Sequence, residues 1–163
     1  MHIKFKRLTD VEKKDIINLM NNPLVRRKMP LLKGTFSESD FNQFIAAKEL
    51  LWTKYGYGPL AFIINNEFAG WGGLQPENGE ADLALVLHPN YWGTGKYLYK
   101  EIIKRAFGEM KLESVTVLFP PSRTRVQGLI KLGFEREAEV MIGNQQFIRY
   151  RIENPLTKKL NNE

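Results

Sequence analysis

Apolar and polar residues alternate over positions 2–8, which predicts a short strand at the start of the chain. The repeat then changes to that of a helix. Thr9, with Glu12 three residues later, forms the pattern of a capping box, in which two side chains satisfy free N–H groups at a helix start. We therefore expect a helix from Thr9 to about Met20, ended by the Asn-Asn-Pro sequence that follows.

A second helix is predicted to begin within the Ser-Glu-Ser-Asp sequence at 37–40. Apolar side chains at helical spacing would give it one buried face: Phe41, Phe44, Ile45, Trp52 and Tyr55. Gly56 stands where a helix often ends in left-handed backbone, so we expect this helix to stop there.

The pattern then becomes that of strands. Apolar runs at 60–64 and 68–74 flank the Asn-Asn-Glu sequence at 65–67, which predicts a hairpin. A turn at 75–79 leads to a third strand at 81–87, whose last five residues are apolar without alternation. A strand of that composition is typical of a sheet that is covered on both faces.

Helices and strands are predicted to alternate in the second half of the chain. A loop at 88–95 precedes a helix to about Met110, and then come a strand at 114–119, a helix that ends near 132–133, and a hairpin of strands at 135–142 and 146–152. The complete order is β-α-α-β-β-β-α-β-α-β-β. This order predicts an α/β fold, a mixed sheet with helices on both faces.

Composition narrows the class of protein. The chain has 163 residues, about one domain, and its lack of cysteine excludes a disulfide framework, a thiolate nucleophile and a cysteine-based zinc site. Two isolated histidines do not make a His-rich metal site. The longest apolar runs are far shorter than the roughly 20 residues of a membrane span, and the first seven residues lack the apolar region of a signal peptide. We expect a cytoplasmic protein with no membrane partner.

A formal net charge of +6 favours anionic partners without choosing among them. The densest basic patch, Arg26-Arg27-Lys28, is interpreted as a solvated face rather than a nucleic-acid site. Because only this charge favours a nucleic-acid role, nucleic acid is not the expected partner.

The candidate binding site follows the strand that ends at Leu87. A short loop carries Gly93-Thr94-Gly95, and a helix begins directly after it. The first N–H groups of a helix have no internal partner and lie at the positive end of its dipole. Glycines let the backbone turn tightly and approach a ligand closely, so the sequence predicts a cradle for a phosphate. Neither a Walker A loop nor a dinucleotide fingerprint fits, because Asn90, Tyr97 and Leu98 replace required residues.

Three stretches together carry a resemblance to a known family. The first is Leu87-His88-Pro89-Asn90-Tyr91-Trp92-Gly93-Thr94-Gly95-Lys96, which resembles the "hPeyWGkG" signature of the RimJ/RimL-like branch of the GNAT superfamily of acetyl-CoA-dependent N-acetyltransferases. The second is Leu129-Ile130-Lys131-Leu132-Gly133-Phe134, which resembles the "lekLGF" end of that family's next helix; the third, 66–74, resembles its "g..iGxxgl" strand. The resemblance implies one GNAT-like domain over 1–153 with a mostly antiparallel sheet, followed by a polar tail at 154–163.

The resemblance implies that acetyl-CoA is the co-substrate. In this family the strand before the loop splays away from the next strand, and the pantetheine arm pairs with its free backbone groups, here those of Leu85, Val86 and Leu87. The pyrophosphate would bind the backbone N–H groups of Trp92, Gly93, Thr94, Gly95, Lys96 and Tyr97, with the charge of Lys96 adding attraction. The acceptor would be a primary amine, a protein N-terminus or a small molecule, that attacks the thioester directly in a ternary complex. The protein would be a monomer or a homodimer.

Four positions depart from the family pattern. Tyr97 stands where Gly or Ala is usual, and its ring would either crowd the cradle or stack on the ligand. Ser122 replaces the Asn that opens the next helix and meets the pantetheine. Arg125 replaces a Ser, and it either reaches a CoA phosphate or is a solvated charge. Leu129 occupies the position of a Tyr that some relatives use as general acid, so that role is vacant.

Asp82 is the candidate base, because the resemblance places it where the branch often has Glu in its "aEiGy" strand. A lysine-type amine is mostly protonated at neutral pH, and a carboxylate that removes its proton can raise the rate by roughly 10²–10⁴-fold. The expected thioester lies near Leu85, about 10 Å along the strand, so this role requires a water relay or a long acceptor path. The alternative is a strand-start carboxylate that binds a backbone N–H. His88 is interpreted as a loop residue, because Pro89 holds it extended.

The leading hypothesis is therefore an enzyme that acetylates a primary amine. The alternative is a CoA-binding module without transfer activity, which the vacant general-acid position and the short side chain of Asp82 would support. The acceptor pocket is expected to involve the helix at 37–55, the loop at 21–36 and the last hairpin.

Overall fold

The computed structural model describes residues 1–29 and 31–157. Its strands are β1 (Ile3–Lys6), β2 (Pro59–Ile64), β3 (Glu67–Glu77), β4 (Glu80–Leu87), β5 (Ser114–Phe119), β6 (Glu135–Ile142) and β7 (Gln145–Glu153). Its α-helices are α1 (Lys13–Asn21), α2 (Pro23–Arg26), α3 (Glu38–Tyr55), α4 (Gly95–Gly108) and α5 (Gln127–Leu132). Two segments, Leu8–Asp10 and Pro89–Thr94, are 3₁₀ helices.

One compact unit comprises Met1–Gly73 and Leu85–Gly95. Within it, β1 and β3 pair with β2 in antiparallel orientation. Helices α1 and α2, strands β2 and β3, and the segments around Leu8 and Phe36 contribute side chains to a buried cluster: Leu8, Ile16, Leu19, Met20, Val25, Phe36, Ala61 and Trp71. The half-buried side chains of Phe41, Phe44 and Ile45 on α3 pack against it. Burial of such side chains is the main source of stability in a domain of this size.

Helix α3 begins and ends where the sequence predicts. The Ser37 hydroxyl accepts a hydrogen bond from the Asp40 N–H at 3.1 Å, and the Asp40 carboxylate accepts one from the Ser37 N–H at 2.8 Å. This reciprocal capping box satisfies two free N–H groups at the helix start. At the other end, Gly56 has a φ of 77°, the left-handed conformation that glycine adopts without strain.

The other compact unit comprises Leu74–Ala84 and Lys96–Glu163. Within it, β4 runs parallel to β5, with Asp82 opposite Thr116. Strands β5 and β6 each pair with β7 in antiparallel orientation. Leu98, Ile102 and Ala106 give α4 a buried face at helical spacing.

The strand order is β1-β2-β3-β4-β5-β7-β6. Strand β4 pairs with β5 in parallel orientation, whereas the pairs β1–β2, β2–β3, β5–β7 and β6–β7 are antiparallel. The predicted α/β class with a mixed, mostly antiparallel sheet is therefore confirmed.

Two predicted helix starts are wrong. Thr9 lies inside the short 3₁₀ helix, and α1 begins only at Lys13, with Glu12 as its N-cap. The last helix begins at Gln127 rather than at Ser122, because the chain at 120–123 instead forms a turn closed by a bond from the Arg123 N–H to the Pro120 carbonyl.

One short helix, α2, is not predicted by the sequence pattern. The side chain of Asn22 accepts hydrogen bonds from the N–H groups of Leu24 and Val25, and Pro23 occupies the first helical turn. Proline suits that position because its missing N–H is not needed there. The same Asn-Pro sequence thus ends α1 and begins α2.

Within the part of the chain that the structure describes, none of the helices has the length and apolar character of a membrane span. At the start of the predicted tail, Asn154 is buried and donates from its side chain to the Leu112 carbonyl at 2.9 Å. Positions 158–163 of that predicted tail lie outside the described residues.

Candidate active site

The predicted phosphate loop is a 3₁₀ helix, Pro89–Thr94, that continues directly into α4 at Gly95. The Nδ1 atom of His88 accepts a hydrogen bond from the Asn90 N–H at 3.1 Å and so caps this 3₁₀ helix. His88 is a structural loop residue, as the sequence predicts. Because α4 has 14 residues, its first turn lies near the positive end of a full helix dipole.

Side-chain hydrogen bonds hold this loop in place. The Trp92 Nε1–H donates to the Leu87 carbonyl at 3.0 Å, and the Thr94 hydroxyl donates to the Tyr91 carbonyl at 2.6 Å. The Lys28 ammonium lies 4.1 Å from the centroid of the Trp92 ring, which is a cation–π contact. The loop is therefore preorganised, and one residue of the predicted basic patch supplies a positive charge beside it.

The fold itself does not require glycine at either loop position. A Cβ on Gly93 would have no heavy atom within 4 Å, and one on Gly95 would meet only Leu85 Cδ1 at 3.8 Å, an ordinary contact. Gly95 has helical backbone with a φ of −54°. The expectation that these glycines serve a tight turn is therefore not needed to explain them. The space beside the two glycines is compatible with a ligand that approaches the backbone closely, and this role stays a prediction.

Lys96 and Tyr97 follow the glycines on the exposed side of α4, and Tyr97 is 56% exposed. The next residue, Leu98, is fully buried and fixes the orientation of this first turn. More than half of the Tyr97 surface is therefore open to solvent and is not used for packing against the described residues. Its two predicted roles toward a ligand both stay open.

The burial of β4 changes along its length. Residues 81–83 are buried, Ala84 is exposed, and Leu85 and Val86 are half-buried. On the β3 side, the strands approach so closely that a Cβ on Gly70 would lie 2.2 Å from the Val86 carbonyl oxygen. The carbonyl of Leu87 already accepts the Trp92 indole N–H. Three residues are predicted to pair with pantetheine through their backbone groups. The Trp92 side chain occupies the carbonyl of Leu87 but not those of Leu85 and Val86.

Asp82 lies in the buried part of β4 and is 9% exposed. Its Oδ1 atom accepts a hydrogen bond from the Thr116 hydroxyl at 2.8 Å. Its Oδ2 atom has no hydrogen-bond partner among the described residues. Because this atom is also not one of their fully buried polar atoms without a partner, part of its surface is accessible to solvent. The bond to Thr116 replaces the bond to a backbone N–H that the alternative interpretation of Asp82 expected.

The electrostatic surroundings of Asp82 bring its titration into the neutral range. Burial raises the pKa of the Asp82 carboxyl to about 7, the hydrogen bond from Thr116 opposes this increase, and the negative charge of Glu77 adds to it. Arg149 lowers the same pKa. A carboxyl with a perturbed pKa and one open oxygen has the properties of a general base.

Sequence analysis missed a charged network in the same unit. Arg151 donates from Nη1 and Nη2 to the two Glu80 oxygens at 2.8 and 2.9 Å, and it also binds Glu137. Arg149 donates from Nε to Glu137 at 2.9 Å. The hydrogen bonds from Arg151 lower the pKa of Glu80, so Glu80 is a structural anion rather than a second base. The spacing of Phe147, Arg149 and Arg151, which places them on one face of β7, is the sequence feature that could have indicated this network.

A family model described as Acetyltransferase (GNAT) domain matches residues 2–135. The chain belongs to the GNAT acetyltransferase family. Acetyl-CoA is the co-substrate of GNAT acetyltransferases, as predicted. The match does not resolve the branch, and the RimJ/RimL-like assignment stays a prediction. No curated protein matches the chain.

Solved GNAT structures share the fold at low sequence identity. An acetyltransferase of the GNAT family from Bacillus anthracis has a TM-score of 0.71 and 20% identity, over 94% of this chain and 96% of that one. The Campylobacter jejuni N-acetyltransferase PseH, in complex with acetyl coenzyme A, has a TM-score of 0.67 and 18% identity, over 93% and 99%. A chimera of spermidine N-acetyltransferase SpeG from Vibrio cholerae and hSSAT has a TM-score of 0.70 and 16% identity, over 99% of both chains.

Acetyl-CoA is polyanionic, and the loop of this GNAT protein fits such a ligand. The two glycines leave space beside its backbone, and the dipole of α4 and the Lys28 charge are of the sign that suits a pyrophosphate. These features are compatible with the group that the family requires.

Two other predicted contacts of this GNAT protein do not lie on a helix. Ser122 and Arg125 are exposed in the irregular segment 120–126, because α5 begins after it. Their predicted roles toward acetyl-CoA stay predictions. Leu129 is buried on α5 at 6% exposure, which agrees with a packing role at the position where some relatives have a tyrosine acid.

Proposed function

We propose that this GNAT protein transfers the acetyl group of acetyl-CoA to a primary amine, either a protein N-terminus or a small amine, by direct attack in a ternary complex. The observation that carries the proposal is Asp82, a buried carboxyl with one hydrogen-bonded oxygen and one oxygen that solvent reaches. An amine acceptor needs such a group, because it is protonated and not nucleophilic at neutral pH.

The phosphate loop would hold the co-substrate. Backbone N–H groups from Trp92 to Tyr97 would bind the pyrophosphate, and Gly93 and Gly95 would let it approach. Leu85 and Val86, in the more open part of β4, would pair with the pantetheine arm. When bound, acetyl-CoA supplies the acetyl group as a thioester.

Asp82 would remove the proton from the acceptor. The amine nitrogen forms one bond to the acyl carbon, and the bond from that carbon to sulfur breaks. A protonated amine loses two protons in this reaction: one before it attacks, and a second as the amide forms. We assign the first proton to Asp82 Oδ2 through one or more waters, because Oδ1 is occupied by Thr116. The second proton passes to solvent, and the thiolate leaving group takes one proton from solvent, since Leu129 cannot donate one.

The printed names of two neighbours support an amine acceptor. PseH is an N-acetyltransferase, and the SpeG chimera is a spermidine N-acetyltransferase. Both likenesses concern the fold, so the acceptor of this protein must be identified by experiment.

An acetyl-CoA consumption screen tests the proposal. The chain has no cysteine, so thiol that appears in a mixture of full-length protein and acetyl-CoA comes from CoA alone. We expect thiol release above the hydrolysis background with one class among N-terminal peptides, polyamines, amino sugars and amino acids. Binding of acetyl-CoA without transfer to any class would contradict the proposal and favour a CoA-binding module.

The contact between Lys28 and Trp92 predicts that Lys28 contributes to acetyl-CoA affinity. Lys28→Ala should weaken binding by a factor of about 1.4 to 5 at low salt, because an exposed charge contributes about 0.2–1 kcal/mol. The loss should shrink as salt screens the charge. The measurement is the Kd of acetyl-CoA by calorimetry at two ionic strengths.

Arg27→Ala is the matched control, because it removes the same charge one position away. Arg27 lies at the end of α2 and has no contact with Trp92 among the described residues. Equal losses in the two variants would mean that net charge, rather than the place of Lys28, determines the affinity.

A further inference from the structure

Thr116 and Asp82 form a buried side-chain pair between two parallel strands. They are opposite each other in the register of β4 and β5, and their exposures are 1% and 9%. The hydroxyl-to-carboxyl distance of 2.8 Å is that of a good hydrogen bond. Since an ionised carboxylate can only accept, the Thr116 hydroxyl is the donor.

We propose that Thr116 is a positioning residue for acetyl transfer: its hydroxyl fixes Oδ1 of Asp82 and thereby presents Oδ2 to the acceptor amine. The inference rests on the base role proposed for Asp82. It adds a residue that acts through Asp82 and does not itself touch the substrate.

Threonine suits this task for two physical reasons. Its branched Cβ restricts the side chain to few rotamers on a strand, so the hydroxyl is held in place before the acceptor arrives. In addition, Thr116 is the one hydrogen-bond donor to Asp82 among residues 1–29 and 31–157. A donor to the ionised form favours that form, which is the form that accepts a proton.

Nearby cations do not replace this donor. Arg149 and Arg151 are engaged by Glu137 and, in the case of Arg151, also by Glu80. Arg149 influences Asp82 only through its charge. Among the described residues, the titratable and charged groups that interact electrostatically with Asp82 are Glu77 on β3, Arg149 on β7 and Tyr99 on α4. Burial raises the pKa of Tyr99 to about 12, so Tyr99 stays neutral through the range in which Asp82 titrates.

Thr116→Val and Thr116→Ser test the proposal with acetyl-CoA and the best amine of the screen. Valine keeps the shape and loses the donor, so the acid limb of kcat should move up by about one to two pH units, and kcat should fall about tenfold below pH 7. The KM for acetyl-CoA should be unchanged. Serine keeps the hydroxyl and should restore both the limb and kcat to within about twofold of the wild type.

A double-mutant cycle separates action through Asp82 from a general loss of packing. In the Asp82→Asn background, Thr116→Val should change kcat less than about twofold, because the base on which Thr116 acts is already absent. An equal loss in both backgrounds would overturn the proposal. Melting temperatures identify a variant that fails to fold, and Thr116→Ala, which also lacks the hydroxyl, then replaces Thr116→Val in the same cycle.

A direct titration distinguishes failure of this inference from failure of the proposed function. The ¹³C resonance of the Asp82 carboxyl should titrate at higher pH in Thr116→Val than in wild type and Thr116→Ser. Unchanged titration would overturn the role of Thr116 while leaving acetyl transfer intact. If no amine is acetylated, the proposed function fails, and the titration still decides whether Thr116 controls the ionisation of Asp82.

Discussion

Asp82→Asn should lower kcat/KM at least tenfold near pH 7, and this loss should shrink as the pH approaches the pKa of the amine. The carboxyl of Asp82 has a pKa raised to about 7 by burial, so wild-type activity should increase through neutral pH as Asp82 ionises. Asparagine cannot accept the proton. The variant can therefore use only amine that has already lost its proton to solvent, a form that becomes abundant only near the amine pKa of about 10. The measurement is the pH profile of kcat/KM for both proteins.

The amide keeps the local structure, which makes the comparison specific. Asn at this position still offers a carbonyl oxygen to the Thr116 hydroxyl. Glu80→Gln is a control of the same kind two residues away on β4, where the carboxylate accepts two hydrogen bonds from Arg151. It should leave the increase of kcat/KM through neutral pH where it is in the wild type. Equal activity of wild type and Asp82→Asn at pH 7 would remove Asp82 from the mechanism.

The same substitution has an independent effect on stability. An Asp in an unfolded chain titrates near pH 3.9, whereas Asp82 in the folded protein titrates at about 7. The folded state therefore binds the proton more tightly, and the wild type loses stability as the pH rises from about 4 to about 7. Asn does not ionise, so the Tm of Asp82→Asn relative to wild type should increase between pH 4 and pH 8. A lower Tm at every pH would instead favour a structural carboxylate.

Gly95→Val should abolish the increase in Tm that acetyl-CoA gives the wild type. A ligand that binds only the folded state, at 100 times its Kd, stabilises it by about 2.7 kcal/mol, which is about 5–10 °C for a chain of this size. The variant itself should fold, because Gly95 has helical backbone and a Cβ there meets Leu85 only at 3.8 Å. The added side chain instead occupies the space in which the pyrophosphate would meet the N–H groups of α4.

Gly108→Val is the matched control, because it places the same side chain on the same helix. Gly108 is the last residue of α4, and a Cβ there has no heavy atom within 4 Å. It should keep the full acetyl-CoA shift in thermal melts. If saturating acetyl-CoA does not raise the Tm of the wild type, or raises that of Gly95→Val equally, the loop is not the binding site.

Local sequence patterns predicted most of the secondary structure because periodicity and caps are properties of adjacent residues. The capping box at Ser37 and the left-handed Gly56 are examples, and both bound α3 where expected. The errors occurred where two local signals compete. Thr9 with Glu12 has the pattern of a capping box, yet the chain first makes a 3₁₀ turn.

The family signature predicted the phosphate loop, whereas the space beside its glycines is seen only in the structure. From the sequence alone, Gly93 and Gly95 are equally consistent with a tight turn or a close ligand. The structure shows that the fold does not require glycine at these positions and that the space beside them is open to a ligand. Whether a side chain fits depends on atoms from elsewhere in the chain, here Leu85, and spacing along the chain does not encode that.

The sequence by itself determined the α/β class and the strand, loop and helix to which the phosphate cradle is assigned, and its family resemblance indicated Asp82 as the carboxyl to examine. Only the tertiary structure decided the chemistry of that carboxyl. Its partner Thr116 is 34 residues away, and the Arg151 that engages Glu80 is 71 residues away. Such pairs depend on which strands become neighbours and in which register, because a shift by one residue would turn each side chain to the opposite face of the sheet.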